Sequence, residues 1–334
     1  MKAVVIDSSW QGNTGIGRVY DAYVSRLPSF LSMDFLHLGC KKKNPLYPIL
    51  LGSAVRRKKH SIFWSPGFFP PVGHKMPAVI MVHDLTHLHY YSGLHRVYYN
   101  TVLKPLYKNM DAIVTVSEYT RHELLNWASL EPDKVVMIHN GVGSEFTPTG
   151  KKVDLGWPFL FYPGNRRAYK NLSRLIAAYA RSKAHKSGVR LVLTGLPDEW
   201  ITQTAITNNV GDMVVCIGNI SGDELPAYYR TAMAVVFVSL YEGFGLPVLE
   251  GMASGVPVLT SNVSSLPEVA GDAALMVNPF EIEEISHGID STIFDTHLRE
   301  HLVQKGASRI ASFSWDNSAA RLWHTVANCA GQAA

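Results

Sequence analysis

The sequence predicts an α/β protein made of two doubly wound parallel sheets. Three observations carry that expectation. Short apolar strands alternate with helical patterns along the whole chain, 334 residues exceed what one ordinary core needs, and the alternation restarts near residue 150. In the first half, strands are expected at 3–7, 33–38, 61–64, 78–82, 112–116 and 135–139. Helical spacing of apolar residues marks 17–27, 95–108 and 118–128 between them. The second half repeats the scheme, with strands at 158–162, 190–194, 213–217, 234–238, 257–260 and 274–277, and helices that include 171–183, 224–231 and 247–254. The polar stretch 144–152, broken by Pro148 and Gly150, reads as the linker between domains 1–150 and 151–314. A final helical segment, 315–334, sets Trp315, Leu322, Trp323 and Val326 on one face, and a helix with two tryptophans has to pack.

Composition narrows the classes. At 47% hydrophobic and 17% charged, the chain reads as a soluble globular protein, and no run approaches the ~18–20 apolar residues that span a bilayer. The N-terminus enters a strand pattern directly, without a signal-peptide core, so a cytoplasmic protein is expected. Cys40, Cys216 and Cys329 are odd in number, widely spaced and without metal-ligand spacing, which fits reduced structural thiols. Charge is uneven. Residues 1–150 carry 16 Lys and Arg against 10 Asp and Glu, whereas residues 151–334 carry 15 against 17. Lys41-Lys42-Lys43 and Arg56-Arg57-Lys58-Lys59 are the clearest basic pieces. They bracket the apolar stretch 45–51 and read either as solvated loops or as contacts to something anionic, a membrane surface included, to which that stretch would add a few buried side chains. Nucleic acid is disfavoured, because no aromatic-interleaved basic stripe accompanies them.

Four motifs follow strands, where open parallel sheets place their ligands. The first is Gly12-Asn13-Thr14-Gly15-Ile16-Gly17-Arg18, a glycine loop that opens a helix and so offers backbone N–H groups to an anion. Tyr20 stands where a dinucleotide fingerprint needs its third glycine, and no acid follows the second strand, so a nicotinamide enzyme is disfavoured. The second is His83-Asp84-Leu85, whose histidine at a strand's carboxyl end can hydrogen-bond a reacting group. His87 and His89 follow, but 86–91 reads as a loop rather than a helix face, so no metal site is expected. The third, Tyr162-Pro163-Gly164-Asn165-Arg166-Arg167-Ala168-Tyr169-Lys170-Asn171, sets two arginines and a lysine beside a helix N-terminus, which suits a diphosphate. No Asp-x-Asp pair is present to hold phosphates through a metal, so cationic side chains would take that part. The fourth, Tyr241-Glu242-Gly243-Phe244-Gly245-Leu246-Pro247-Val248-Leu249-Glu250, is the most specific. Pro247 fits an early helical position, leaving Glu242 in a glycine loop and Glu250 in the first helical turn. Carboxylates accept paired hydroxyl hydrogen bonds, as a sugar ring or ribose diol requires.

Together these segments resemble family 4 of the retaining glycosyltransferases, which have the GT-B fold: two Rossmann-like domains facing across a cleft, with a C-terminal helix crossing back to the first. The resemblance covers nearly the whole chain and is strongest from Glu242 through Glu250, which looks like the family's Glu-x7-Glu motif. It continues through Met252-Ala253-Ser254-Gly255-Val256-Pro257, Ser264-Ser265-Leu266-Pro267-Glu268 and His139-Asn140-Gly141-Val142. It implies that Glu250 binds the ribose and Glu242 lies at the transferred hexose. Amides of Gly243, Phe244 and Gly245, with Leu246 beside them, would hold sugar hydroxyls or phosphate. His83 would lie at the reacting face, and Gly15 and Gly17 would line the diphosphate and acceptor. Lys170 matches the family's lysine. Asn165 and Tyr169 occupy places where many members carry arginine, so Arg166 or Arg167 must stand in, and Arg167 is the better placed.

The expected reaction is metal-independent transfer of a hexose from a nucleotide-diphosphate sugar donor to a glycan or polyprenyl-diphosphate-linked acceptor; the resemblance leans toward mannose from GDP-mannose, with UDP-sugars and dTDP-rhamnose left open. An oxocarbenium-like state and same-face attack are expected, since no carboxylate reads as a nucleophile. Two alternatives stand beside it: a nucleotide-sugar epimerase of similar fold, and a non-catalytic nucleotide-sugar-binding subunit. Attachment to the inner face of the cytoplasmic membrane is a further expectation, and the sequence leaves a homodimer undecided.

Overall fold

The computed structural model describes residues 2–12, 14–40, 42, 44–58 and 62–332. It divides into two units, one holding the residues through Gly141 together with those from Ser314 on, the other Val142–Phe313.

In the first unit β1 (Lys2–Asp7), α1 (Gly15–Val24), β2 (Leu31–Leu36), α2 (Tyr47–Arg56), β3 (Ile62–Ser65) and β4 (Ala78–Val82) come first. There follow α3 (Thr86–His89), α4 (Gly93–Tyr98), a π-helical turn at Tyr99–Leu103, α5 (Lys104–Tyr107), β5 (Ala112–Thr115), α6 (Glu118–Ala128) and β6 (Val135–Met137). The six strands form one parallel sheet in the order β2-β1-β3-β4-β5-β6. Residues of β3, β4 and β5 are buried throughout, because helices cover both faces of a parallel sheet and call for continuous apolar runs.

Several expectations need correction. The second strand lies at Leu31–Leu36, not 33–38: it is an edge strand whose burial alternates, so apolar content alone does not fix its ends. The helix expected at 17–27 starts two residues earlier, since the Thr14 hydroxyl accepts from Gly17 N at 3.1 Å and caps it. The stretch around Pro48 is helical. Pro48 sits in the first turn of α2, where its missing N–H costs no hydrogen bond. Thr86–His89 forms a helical turn rather than a loop. Within the third expected strand, Ser61 lies outside the described residues.

The second unit contains β7 (Phe159–Tyr162), α7 (Leu172–Arg181), β8 (Arg190–Leu193), α8 (Glu199–Thr207), β9 (Val214–Cys216), α9 (Leu225–Thr231) and β10 (Ala234–Phe237). It continues with α10 (Leu246–Ala253), β11 (Val258–Ser261), α11 (Leu266–Ala270), β12 (Leu275–Val277), α12 (Ile282–Phe294) and α13 (Thr296–Arg309). Its sheet is again parallel, in the order β12-β11-β10-β7-β8-β9.

The stretch expected to be a linker is part of this unit. Arg230 donates to the carbonyls of Glu145 at 3.1 Å, Thr147 at 3.3 Å and Lys151 at 3.0 Å, and Phe146 meets Tyr229 edge-on at 5.3 Å. The division therefore falls between Gly141 and Val142 rather than at 150.

The last helix, α14 (Trp315–Gln332), belongs to the first unit. Trp323 is fully buried, donates its indole N–H to Tyr23 O at 3.1 Å and packs on Trp64 at 5.0 Å. Ser318 and Arg321 bond the carbonyls of His139 and Met137. Among the described residues no helix is long and apolar enough to cross a membrane, and the three cysteines are unpaired thiols.

Candidate functional site

In the first unit the candidate residues stand at the carboxyl ends of β1 and β4. Gly15 is exposed at the first position of α1, and Gly17 is buried two residues on. A Cβ on Gly17 would lie 1.8 Å from Gly12 O, so the close passage of the loop over the helix demands glycine there. Beside it is a network that sequence reasoning missed. Asp7, fully buried at the end of β1, accepts from Trp10 Nε1 at 3.0 Å, Ser65 Oγ at 2.9 Å and Ser9 N at 3.1 Å. Burial raises its pKa, while the hydrogen bonds pull it back. Its signal in the sequence was an acid closing an otherwise apolar strand.

His83 follows β4, half-buried, with Nε2 2.7 Å from Pro66 O. A carbonyl can only accept, so Nε2 carries the proton and Nδ1 is the acceptor of the neutral ring. Desolvation lowers the ring's pKa, ahead of the opposing Pro66 and Asp84 contributions. A lowered pKa means that the folded ring is neutral wherever the unfolded one is, and stays so further into acid. Stability from this group is thus present above the unfolded value of 6.5 and is lost as pH falls through the lower folded value. If neutral His83 takes part in turnover, the acid limb of the rate profile should lie below pH 6.5, and His83→Gln should remove that limb along with most activity. An acid limb above 6.5 in kcat would refute the neutral-ring assignment. His87 is stacked among rings, 5.3 Å from Phe68 and 5.1 Å from Tyr99, and His89 pairs with Glu123.

In the second unit the structure separates two neighbouring arginines. The Arg166 guanidinium donates to Thr194 O at 3.2 Å, Gly195 O at 3.1 Å and Cys216 Sγ at 3.1 Å, and also engages Leu196 O and Asp198. It latches the loop after β8 to the end of β9. Its two terminal nitrogens are engaged with these segments, while its buried Nε has no hydrogen-bond partner among the described residues. Arg167 is exposed on the same loop, its amide held by Asn165 Oδ1 at 3.2 Å.

Lys170 ends the 3-10 turn before α7. Asn171, at φ 63°, carries the chain into that helix while its side chain donates to Val238 O at 3.0 Å and Pro279 O at 2.7 Å. Lys170 is 8% exposed, lies over the Phe237 ring at 5.0 Å, and meets Glu242 Oε1 at 2.6 Å. The loop bearing Glu242 is held from the side by two serines. Ser264 Oγ accepts from Glu242 N at 3.1 Å, and Ser265 Oγ donates to Glu242 O and Phe244 O, each at 2.9 Å. Gly243, Phe244 and Gly245 are buried, with Leu246 half-buried at the start of α10. Gly245 has φ 117°, and a Cβ there would come within 2.7 Å of Leu266 Cδ2, so the turn into α10 also needs glycine.

Glu250 lies in the second turn of α10 rather than the first, because the helix begins at Leu246. It is 2% exposed and accepts from the Tyr229 hydroxyl at 2.6 Å. Tyr229 lies 21 positions upstream on α9, and nothing local in the sequence links it to Glu250. The structure thus brings Lys170 and Glu242 into direct contact and seats Glu250 on its own partner.

The model of the family described as Glycosyl transferases group 1 matches residues 146–309, and that of Glycosyltransferase Family 4 matches residues 20–146. The O-antigen chain mannosyltransferase B of Escherichia coli is 31% identical over 291 residues, covering 81% of this chain and 75% of that protein. The serotype-specific mannosyltransferase WbdA of Escherichia coli is 28% identical over 229 residues, 64% of this chain and 28% of that much longer protein. Among solved structures, Anabaena Alr3699/HepE in complex with UDP and glucose shares the fold, with a TM-score of 0.78 over 98% of this chain and 100% of that one at 14% identity. The chain therefore belongs to family 4 of the glycosyltransferases, has the GT-B fold, and is a glycosyltransferase.

Proposed function

We propose that the protein moves mannose from GDP-mannose, with retention and without a metal ion, onto a glycan or polyprenyl-diphosphate-linked acceptor in cell-surface polysaccharide assembly. The contact between Lys170 and Glu242 is the observation that carries this reading. It sets a cation and a carboxylate, both largely shielded from water, beside the glycine turn at the N-terminus of α10. That is the combination a departing diphosphate and a hexose require. The mannosyl specificity is suggested by what the relatives above are named for, and the nucleotide-sugar donor by the UDP bound to Alr3699/HepE.

In this reading Glu250 holds the ribose diol, and Glu242 takes hexose hydroxyls. The amides of Gly243, Phe244 and Gly245 meet hydroxyls or phosphate near Leu246. Lys170 and Arg167 neutralise the charge that grows on the diphosphate as the glycosidic bond breaks. Each oxygen of that leaving group gains negative charge in the transition state, so a preplaced cation stabilises it more than it stabilises the bound donor. The acceptor oxygen attacks the face the diphosphate leaves. Gly15 and Gly17 are assigned to the diphosphate and acceptor and His83 to the reacting face, with His83 Nδ1 accepting a hydrogen bond from a hydroxyl. The enzyme works at the inner face of the cytoplasmic membrane, attached peripherally to an anionic leaflet.

The test is a donor screen followed by turnover. GDP-mannose at 100 times its Kd should add about 2.7 kcal/mol to stability, visible as a thermal shift that UDP-sugars do not produce. Transfer to a lipid-linked glycan extract should give an α-configured product and persist in EDTA. Stabilisation by a UDP-sugar alone would replace the donor assignment. Loss in EDTA that Mn²⁺ restores would remove the metal-independent part, and conversion of donor without acceptor would make the protein an epimerase.

A further inference from the structure

The first unit carries an apolar surface that no other element among the described residues covers. α4 has no buried residue, and its Leu94 and Val97 are 81% and 57% exposed. At the start of α2, Leu46, Ile49 and Leu50 are 57%, 52% and 39% exposed. The Tyr98 hydroxyl, at the end of α4, donates to Pro45 O at 2.8 Å, which makes the two places neighbours. Spacings of three and four residues keep each set on one side of its helix. Soluble monomers seldom leave large side chains grouped in this way without a partner.

Charge identifies the partner. Residues 35–110 contain eleven Lys and Arg and a single acid, Asp84. Arg57, Lys75, Arg96 and Lys108 are exposed. Other members of the basic stretches are engaged: Lys58 pairs with Asp34 at 2.6 Å, Arg56 donates to Val72 O and Gly73 O, and Lys42 lies 4.1 Å over the Trp10 ring. Lys41, Lys43 and Lys59 lie outside the described residues. A second copy docked here about a two-fold axis would set this cationic region against itself, which like-charge repulsion opposes. An anionic bilayer offers both halves of the match, headgroup charge outside and hydrocarbon within.

We propose that Leu46, Ile49, Leu50, Leu94 and Val97 insert among the lipids of an anionic leaflet while Arg96 on α4 and other exposed cations of this basic unit meet the headgroups. This rests on the peripheral attachment read above, and it extends the contact from the stretch 45–51 between the basic pieces to the exposed face of α4.

The experiment is co-sedimentation with phosphatidylcholine vesicles, with and without phosphatidylglycerol, at low and high salt. Wild type should bind only vesicles containing phosphatidylglycerol and should release with salt. Leu94→Ser/Val97→Ser and Leu46→Ser/Ile49→Ser should each bind about tenfold more weakly, while keeping the wild-type melting temperature and donor-induced thermal shift. Ile206→Ser, an equally exposed apolar position on α8, should bind like wild type. If wild type ignores phosphatidylglycerol vesicles at low salt, the attachment itself is wrong and this surface with it. If wild type binds and both double variants bind equally well, attachment stands and the surface assignment is overturned. A wild-type dimer in solution that either double variant dissociates would overturn it in favour of a second copy.

Discussion

Lys170→Ala should lower kcat by about 10²–10³-fold, the usual cost of removing one electrostatic donor from a transition state in which charge separates. The pairing with Glu242 complicates this test and also sharpens it. With side chains only 10% and 13% exposed, each member of the pair relies on the other for its charge compensation. Removing one partner of a buried pair costs up to about 3–5 kcal/mol, because the remaining charge is left without compensation. Lys170→Ala should therefore also unfold at lower temperature, and Glu242→Ala likewise. Combining Lys170→Ala with Glu242→Ala should recover part of that stability without recovering turnover. Glu242→Gln keeps the shape and a hydrogen-bond acceptor, and it should separate loss of charge from loss of packing. Melting temperatures and kcat of the four variants decide the matter. A Lys170→Ala enzyme with kcat within tenfold of wild type would end the diphosphate role, whatever its stability.

The same residues show where sequence reasoning reaches and where it stops. β4 and α6 match the sequence reading to the residue, at Ala78–Val82 and Glu118–Ala128. Both have local causes. β4 is a continuous apolar run of the kind a covered parallel strand needs, and α6 is capped by the Ser117 side chain, which accepts from Thr120 N. β2 slipped by two residues because an edge strand buries only part of its surface, and α2, with Pro48 in its first turn, is a helix that the sequence reading did not include. The Glu242–Glu250 segment was legible since its glycines, proline and acids are consecutive. The anchoring of Arg166 on the loop after β8 was not legible. It depends on carbonyls of Thr194, Gly195 and Leu196, about thirty residues away and brought close only by the pairing of β7 with β8. Tyr229 escaped for the same reason: it reaches Glu250 from a helix that the sequence connects to α10 only through β10.

Glu250→Ala should weaken binding of the bare nucleoside diphosphate by roughly 10–100-fold, since hydrogen bonds to a charged group contribute about 1.5–3 kcal/mol each. The assignment of Glu250 to the ribose makes a more specific demand. Wild type should prefer a ribonucleotide to its 2′-deoxy analogue, and Glu250→Ala should erase that preference by losing affinity for the ribonucleotide alone. Tyr229 supplies the second arm. Its hydroxyl donates to one carboxylate oxygen at 2.6 Å inside a fully buried ring cluster with Phe146 and Phe161, so it orients Glu250 without having to touch the nucleotide. Tyr229→Phe keeps the ring packing and removes only that donor. It should reduce the ribo-over-deoxy preference severalfold while the affinity for the deoxy analogue stays at the wild-type level. A general loosening of the fold would instead lower both affinities together. Calorimetric titration of both nucleotides into the three proteins separates the cases. If Glu250→Ala still prefers the ribonucleotide as wild type does, the ribose role is wrong. If Glu250→Ala loses the preference and Tyr229→Phe keeps it in full, the ribose role stands, and the hydroxyl of Tyr229 is not what aims the carboxylate.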